Sequence, residues 1–334
     1  MDLSILIVNF RTPALVIDCL QTVLKEDTGI QYEVIVVDNA SGDDSETLIR
    51  MAFPGIRWIQ MGYNAGFARA NNEGIRQSNG RAVLLLNSDT LIEEGAIGQC
   101  CRQFLASDYV ACGVQLLNTD RTPQISGNYF MKGGLNYLLP LPFLGEWIKK
   151  AGMLFRVAKP NVPDAKELIE VDWINGAFLM VKRTAIEKVG LLDEDFFLYA
   201  EEAEWCSRLR ETGKICVYGQ YHVVHLQGAS ANETFSSSGV GYYNLYDHKG
   251  LQIMLSNFVR IRKQFGVGWF LFQLLMYIVE IPVFFLGTLV SRLFRPADPA
   301  YSFEKLGQYC RNVGKVIVLS GVIIRNKPHF YKVL

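Results

Sequence analysis

Over 334 residues the chain lacks net charge: 33 Lys and Arg are balanced by 33 Asp and Glu. A polycationic footprint for nucleic acid is therefore excluded, and no nucleic-acid partner is expected. Paired cysteine spacing is missing too. The seven cysteines (Cys19, Cys100, Cys101, Cys112, Cys206, Cys216 and Cys310) are scattered and odd in number. That pattern argues against a disulfide framework and suggests reduced thiols in the cytosol. No basic stretch followed by a long apolar run opens the chain, so a secretory leader is not expected.

Half of the residues are hydrophobic, and the excess is local. Short apolar runs at Ser4–Phe10, Tyr32–Val37, Arg57–Met61, Ala82–Leu86 and Val110–Leu117 alternate with helical spacing at Ala14–Lys25, Glu46–Ala52, 66–78 and Glu94–Leu105. Strands alternating with helices predict right-handed βαβ units, and the continuous apolar runs predict strands covered on both faces. The fold class is therefore α/β, a mostly parallel sheet flanked by helices. From 118 to 170 the periodicity fails and Pro and Gly cluster, as expected of an irregular lid or binding loop. Strand and helix signals return over 171–226. Gly266–Val290 then forms an apolar stretch long enough to cross a bilayer core. Gln273, Glu280 and Pro282 interrupt it, and Arg260, Arg262, Lys263, Arg292 and Arg295 flank it. A surface segment on an anionic membrane, a hairpin dipping into one leaflet and a buried core helix pair all fit this pattern; a single spanning helix fits less well, since it would carry the residues after 295 across the membrane.

Several polar residues stand where chemistry is done in open sheets, at the ends of apolar strands. Asn87-Ser88-Asp89 closes one such run. One carboxylate with a neighbouring amide suits Mg²⁺ or Mn²⁺ on a diphosphate, and the same triplet is ordinary turn chemistry. Asp38 ends another run, as a nucleobase acceptor or as the residue opening a turn. Gly62–Asn72 is a glycine-containing turn opening a helix, suited to a phosphate or to a plain strand-to-helix loop. Glu201, Glu202 and Glu204 crowd a helix start, either as dipole complements, with Glu204 pairing Arg208, or with one of them as a general base. His222 and His225 are three apart on a strand and point to opposite faces, so at most one serves a given site; His225, at the strand end, is the better ligand.

The order of VVDNASGD, NAGFARANN, LLLNSDT, VDWINGAFLMV, FFLYAEEAEWCSRL and VVHLQGAS resembles that of family 2 inverting glycosyltransferases of the GT-A, Rossmann-like fold, and most closely the bacterial rhamnosyltransferase-like branch. The resemblance covers about residues 3–230. It implies Asp38, Asn64, Asn72, Asn87 and Asp89 on the donor side, and Asp89 with His225 on a Mg²⁺ or Mn²⁺ ion. It implies Asn175, Gly176 and Glu201 on the acceptor side, and Glu202 as catalytic base. The family usually carries aspartate at the base position and two carboxylates in the metal motif, so Glu202 is one methylene longer and NSD is one carboxylate short. The implied partners are a nucleoside-diphosphate sugar (dTDP-rhamnose first, a UDP-sugar next) and a glycan acceptor; the apolar, basic-flanked C-terminal stretch suggests a polyprenyl-linked oligosaccharide acceptor at the cytoplasmic face of a membrane. The expected division is a catalytic domain over 1–250 (1–117 donor half, 118–170 lid, 171–250 acceptor half), with the apolar stretch and its basic flanks marking a helical membrane-associating region over 251–334. A catalytically degenerate binding protein is one alternative. A sugar nucleotidyltransferase is the other, though Asn9-Phe10-Arg11-Thr12-Pro13 is not its glycine-rich loop.

Overall fold

The backbone hydrogen-bond pattern of a computed structural model describes residues 1–25, 29–157, 159–226, 235, 237, 244–294 and 302–333. Residues 227–230, which end the VVHLQGAS motif, and Arg295 lie outside the described residues. Contacts divide the chain into two compact units. One comprises Met1–Tyr129, Asn161–Phe197 and Glu201–Ala231, the other Phe130–Pro160, Leu198–Ala200 and Asn232–Leu334.

In the first unit the predicted alternation is present. Strands β1 (Leu3–Asn9), β2 (Tyr32–Asp38), β3 (Arg57–Gln60) and β4 (Ala82–Leu86) alternate with helices α1 (Pro13–Lys25), α2 (Ser45–Ala52) and α3 (Gly66–Gln77). They pair in parallel in the order β3-β2-β1-β4. Next come β5 (Thr90–Ile92), α4 (Ala96–Leu105) and β6 (Ala111–Leu117). After them the sheet takes β9 (Leu168–Val171), β11 (Phe178–Lys182), α6 (Arg183–Val189), α7 (Glu201–Leu209) and β12 (Ile215–His225). Strand β11 enters antiparallel between β4 and β6, while β12 lies parallel to β6. Strands β1, β2, β3, β4, β6 and β12 therefore all run the same way; β5, β9 and β11 oppose them. Short strands β7 (Gly127–Asn128), β8 (Asn161–Val162) and β10 (Trp173–Ile174) make a second, antiparallel sheet.

Alternate residues of the central strands fill the two faces of the sheet. Leu3, Ile5, Ile7, Val34, Val36, Leu84 and Leu86 join Val16, Leu20 and Phe104 in one buried cluster. On the opposite face a β-carbon at Gly74 of α3 would lie 3.1 Å from Leu6 and 3.2 Å from Val37. A larger residue would make those side chains give by a few tenths of an ångström, so glycine favours the close seat of α3.

The second unit holds a 3₁₀ segment at Lys132–Leu138 and helices α5 (Leu144–Leu154), α8 (His248–Phe265), α9 (Val267–Phe294) and α10 (Phe303–Arg325). Residues 118–170 are thus not one irregular region: they contain β7, the 3₁₀ segment, α5, β8 and β9. Helix α9 is, by length and composition, one helix able to cross a membrane. Asp247 accepts from Gly250 N at 2.8 Å and Ser302 from Lys305 N at 3.2 Å, capping α8 and α10.

Candidate active site

Because six strands run together, their carboxyl ends share one edge. Strand β11, running the other way, starts at that edge, with Phe178 opposite Leu86. The edge therefore carries Asn9, Asp38, Asn87, the Asn175–Ala177 turn and His225. The chain steps outward from β1 to β3 and returns beside β1 with β4, so the reversal in strand order falls between Asn9 and Asn87. Open α/β sheets bind ligands in such a crevice.

Asp38 is buried and fully engaged. Oδ1 accepts from Asn9 Nδ2 (2.7 Å) and Ser41 Oγ (2.5 Å), and Oδ2 from Ser41 N (3.0 Å) and Gln60 Nε2 (2.7 Å). Four donors occupy the acceptor sites of a carboxylate, so Asp38 organises the 39–42 turn, and any base contact would displace one of them. Asn39 continues the frame: its amide donates to Asn64 Oδ1 (2.9 Å), and its Oδ1 accepts from Ala65 N (2.7 Å). Asn64 thereby fixes the start of α3. There Gly66 has φ +74° and a β-carbon would collide with the Phe197 carbonyl, which accepts from Phe67 N (2.8 Å).

Asn72, expected on the donor side, is committed elsewhere. Its amide donates to Leu192 O (2.9 Å) and Glu194 Oε1 (3.1 Å), and its oxygen accepts from Leu192 N (3.0 Å). Fully buried, it ties α3 to the 192–194 loop. That is why a poor helix former sits in the interior of α3.

Asn87 is half-buried and takes the Ala177 carbonyl with its backbone N–H (3.1 Å). Asp89 is almost completely buried, and among the described residues its Oδ1 has no hydrogen-bond partner. His225 Nε2 lies 3.4 Å from that oxygen, while Nδ1 is 3.0 Å from Gln124 Oε1. Gln124 is held by donation to His225 O (2.7 Å) and Asn118 Oδ1 (2.8 Å). Its oxygen can only accept, so Nδ1 carries the ring proton, and in the neutral ring a bare Nε2 faces a bare carboxylate oxygen. Two acceptors so placed suit a cation, and one oxygen with one imidazole nitrogen suits Mg²⁺ or, better, Mn²⁺. No group of three or more His, Cys, Asp or Glu side chains gathers among the described residues, so a cation here would need donors from a ligand. His222 is exposed and His225 buried, the alternation expected of a strand.

On the acceptor side Asn175 donates to Ile125 O (3.2 Å) and accepts from Ala177 N (3.0 Å), shaping the turn before β11. Gly176 faces Glu202: a β-carbon there would stand 3.6 Å from Glu202 Cγ. Glu201, beside it, is buried with Oε2 unpartnered among the described residues. Burial first, and the Glu202 carboxylate second, push its pKa well above the ordinary value. Protonation of Glu201 is thus favoured, and it relieves repulsion across the pair. Glu204 pairs with Arg208 through 2.8 and 2.7 Å bonds, the structural member of the acidic turn.

Sequence reasoning missed Asn9, Asn39, Gln60 and Gln124. Asn9 had a signal, since it ends β1 as Asp38 ends β2. Gln124 had none, because its partner lies 101 positions on.

A mostly parallel sheet with one inserted antiparallel strand, flanking helices and a strand-end crevice is a GT-A-like α/β fold. The family model of glycosyl transferase family 2 matches residues 4–164. The chain is 29% identical over 214 residues to the low-salt glycan biosynthesis hexosyltransferase Agl10 of Haloferax volcanii, covering 63% of this chain and 62% of that one. It is 26% identical over 202 residues to the N-acetylglucosaminyl-diphospho-decaprenol L-rhamnosyltransferase of Mycobacterium tuberculosis, covering 55% and 63%. The match thus spans just under two thirds of these relatives' length. The mannosyltransferase PcManGT of Pyrobaculum calidifontis, solved with GDP-Man and Mn²⁺, shares the fold at TM-score 0.52 and 12% identity, covering 95% of this chain and 87% of that one.

Proposed function

We propose that the chain is a metal-dependent inverting glycosyltransferase. In this reading it moves a sugar, rhamnose first among candidates, from a nucleoside-diphosphate donor to a hydroxyl of a polyprenyl-linked glycan at the cytoplasmic face of a membrane. The meeting of two pairs at one sheet edge carries the reading: Glu202 against Gly176, and the unpartnered Asp89 Oδ1 against His225 Nε2. The two rhamnosyl- and hexosyltransferase relatives support the substrate class.

Gly176 leaves room beside Glu202 for an acceptor hydroxyl. Glu202 takes the proton of that hydroxyl as it attacks the anomeric carbon opposite the leaving diphosphate, which inverts the centre. The raised pKa of Glu201 disfavours a second negative charge beside Glu202. Asp89 and His225 would hold Mg²⁺ or Mn²⁺, which neutralises charge on the leaving phosphate when bound. Asn9, Asp38, Asn39 and Asn64 keep the donor-side loops in one arrangement.

Glu202→Gln is expected to lower transfer by about 100- to 10,000-fold while donor affinity, read by thermal shift with Mn²⁺, stays within about threefold. Parental turnover in that variant would refute the base assignment. The same thermal-shift assay with thymidine, uridine and guanosine diphosphate sugars ranks the donors. No response to any of them, with or without Mn²⁺, would sink the reading.

A further inference from the structure

The neutrality of the whole chain conceals a partition. The first compact unit carries 16 Lys and Arg against 27 Asp and Glu, the second 17 against 6. Net charges of −11 and +11 cancel in the total.

Within the basic unit, α9 has two distinct faces. One is polar and committed internally. Gln273 donates to the carbonyls of Gly133 (3.1 Å) and Gly134 (2.9 Å), and Tyr277 Oη to Tyr137 O (2.9 Å). Glu280 accepts from the backbone N–H groups of Phe143 (2.8 Å) and Leu144 (3.0 Å). Gln273 and Glu280 are completely buried. The other face is apolar and bare: Leu271, Leu275, Ile278, Leu286, Val290 and Leu293 are 38 to 79% exposed. Their spacing keeps them on one stripe of a helix.

Glu280 also explains a feature that looked costly in the sequence. Its carboxylate sits at the amino end of α5, where the helix dipole favours negative charge. That contact, with Phe143 packed on Phe284, fixes α5 to α9. Helix α5 and the residues after it expose Trp147, Met153, Leu154 and Phe155 among Lys150, Arg156 and Lys159.

A spanning α9 would drag the 3₁₀ segment bonded to its polar face into hydrocarbon, together with the chain around Lys132 and Glu146. Non-helical backbone and charges are costly there. An interfacial helix meets neither cost. We infer that the bare face of α9 and the aromatic, basic α5 form a one-sided docking surface for an anionic phospholipid bilayer, with α9 lying in the interface plane. Apolar side chains enter the headgroup boundary and the Lys and Arg meet lipid phosphates. The inference deepens the membrane placement in the proposed function, and its test needs no turnover.

The test is co-sedimentation of the purified full chain with phosphatidylcholine vesicles, with and without phosphatidylglycerol, at low and high salt. Binding is expected to require the anionic lipid, to weaken with salt, and to be reversed by alkaline carbonate. Replacing Lys150, Arg156 and Lys159 by Gln should weaken binding to anionic vesicles about 100-fold. Leu275→Glu with Leu286→Glu should weaken it by at least about tenfold. Both sets lie on the surface, and unchanged thermal melting confirms folding. Carbonate-resistant association would mean a spanning helix. Equal, salt-insensitive binding to neutral vesicles would remove the charge argument. Self-association without vesicle binding would make a second copy the occupant. Each of these results overturns the inference. Donor-induced thermal shifts in the same preparation separate its failure from failure of the transferase reading.

Discussion

Because Gln124 holds the proton on Nδ1 of His225, its removal should act on the cation and not on the fold at large. Gln124→Leu leaves Nδ1–H unpartnered and frees the ring to turn its protonated nitrogen toward Asp89. Loss of such an outer partner typically weakens metal affinity about 10- to 100-fold. Titrating Mn²⁺ against the protein with nucleoside diphosphate, read by the electron-spin signal of free Mn²⁺, measures this directly; an unchanged affinity would remove Gln124 from the site. Glu201 gives a second prediction, on stability. In the folded chain its proton is held more tightly than in the unfolded chain. Its stabilising contribution is therefore full below the unfolded pKa and is lost as pH rises through the folded one. Gln at this position is neutral throughout, so Glu201→Gln should gain stability relative to the parent as pH increases. Urea unfolding at about pH 5 and about pH 8 checks the sign, and an equal difference at both would contradict the buried, proton-holding assignment.

At the scale of elements, α3 shows what a sequence reveals and what it withholds. The strand–helix alternation through β4 could be read directly, since apolar runs and helical spacing are local properties. The partner of Asn72 could not, because Leu192 lies 120 positions on. The motif places the side chain on the donor side, and the structure shows it holding the 192–194 loop. Asn72→Ala should cost about 1–3 kcal/mol in unfolding free energy, the penalty for stranding buried Leu192 groups, with donor affinity nearly unchanged. A lost donor response in a stably folded variant would return Asn72 to the binding site. Helix α5 was missed for a related reason. Its exposed Trp147, Met153 and Leu154 blur the polar face that marks a surface helix, and Pro140 and Pro142 precede it. The register of strand β12 against β6 shifts between Tyr218 and His222. There Gly219 packs against the Ala165 backbone, a contact no local pattern announces.

For the molecule as a whole, the composition was legible and its arrangement was not. A pI of about 6.9 predicts weak interaction with any charged surface near neutral pH. Interaction depends on local charge, however, because at ordinary ionic strength exposed charges are felt only over about 10 Å. A unit with 17 basic and 6 acidic residues therefore meets a sulfonate matrix as a cation, whatever the rest of the chain carries. The full chain should bind a cation exchanger at about pH 7.5 in low salt and elute as salt shortens the screening length. The Lys150, Arg156 and Lys159 to Gln variant should elute earlier. It has lost charge from the exposed segment that also presents Trp147 and Phe155. Passage of the parent in the flow-through would mean that the basic residues do not act as one surface. Retention with the expected shift would show that the same charges are accessible before any lipid is present.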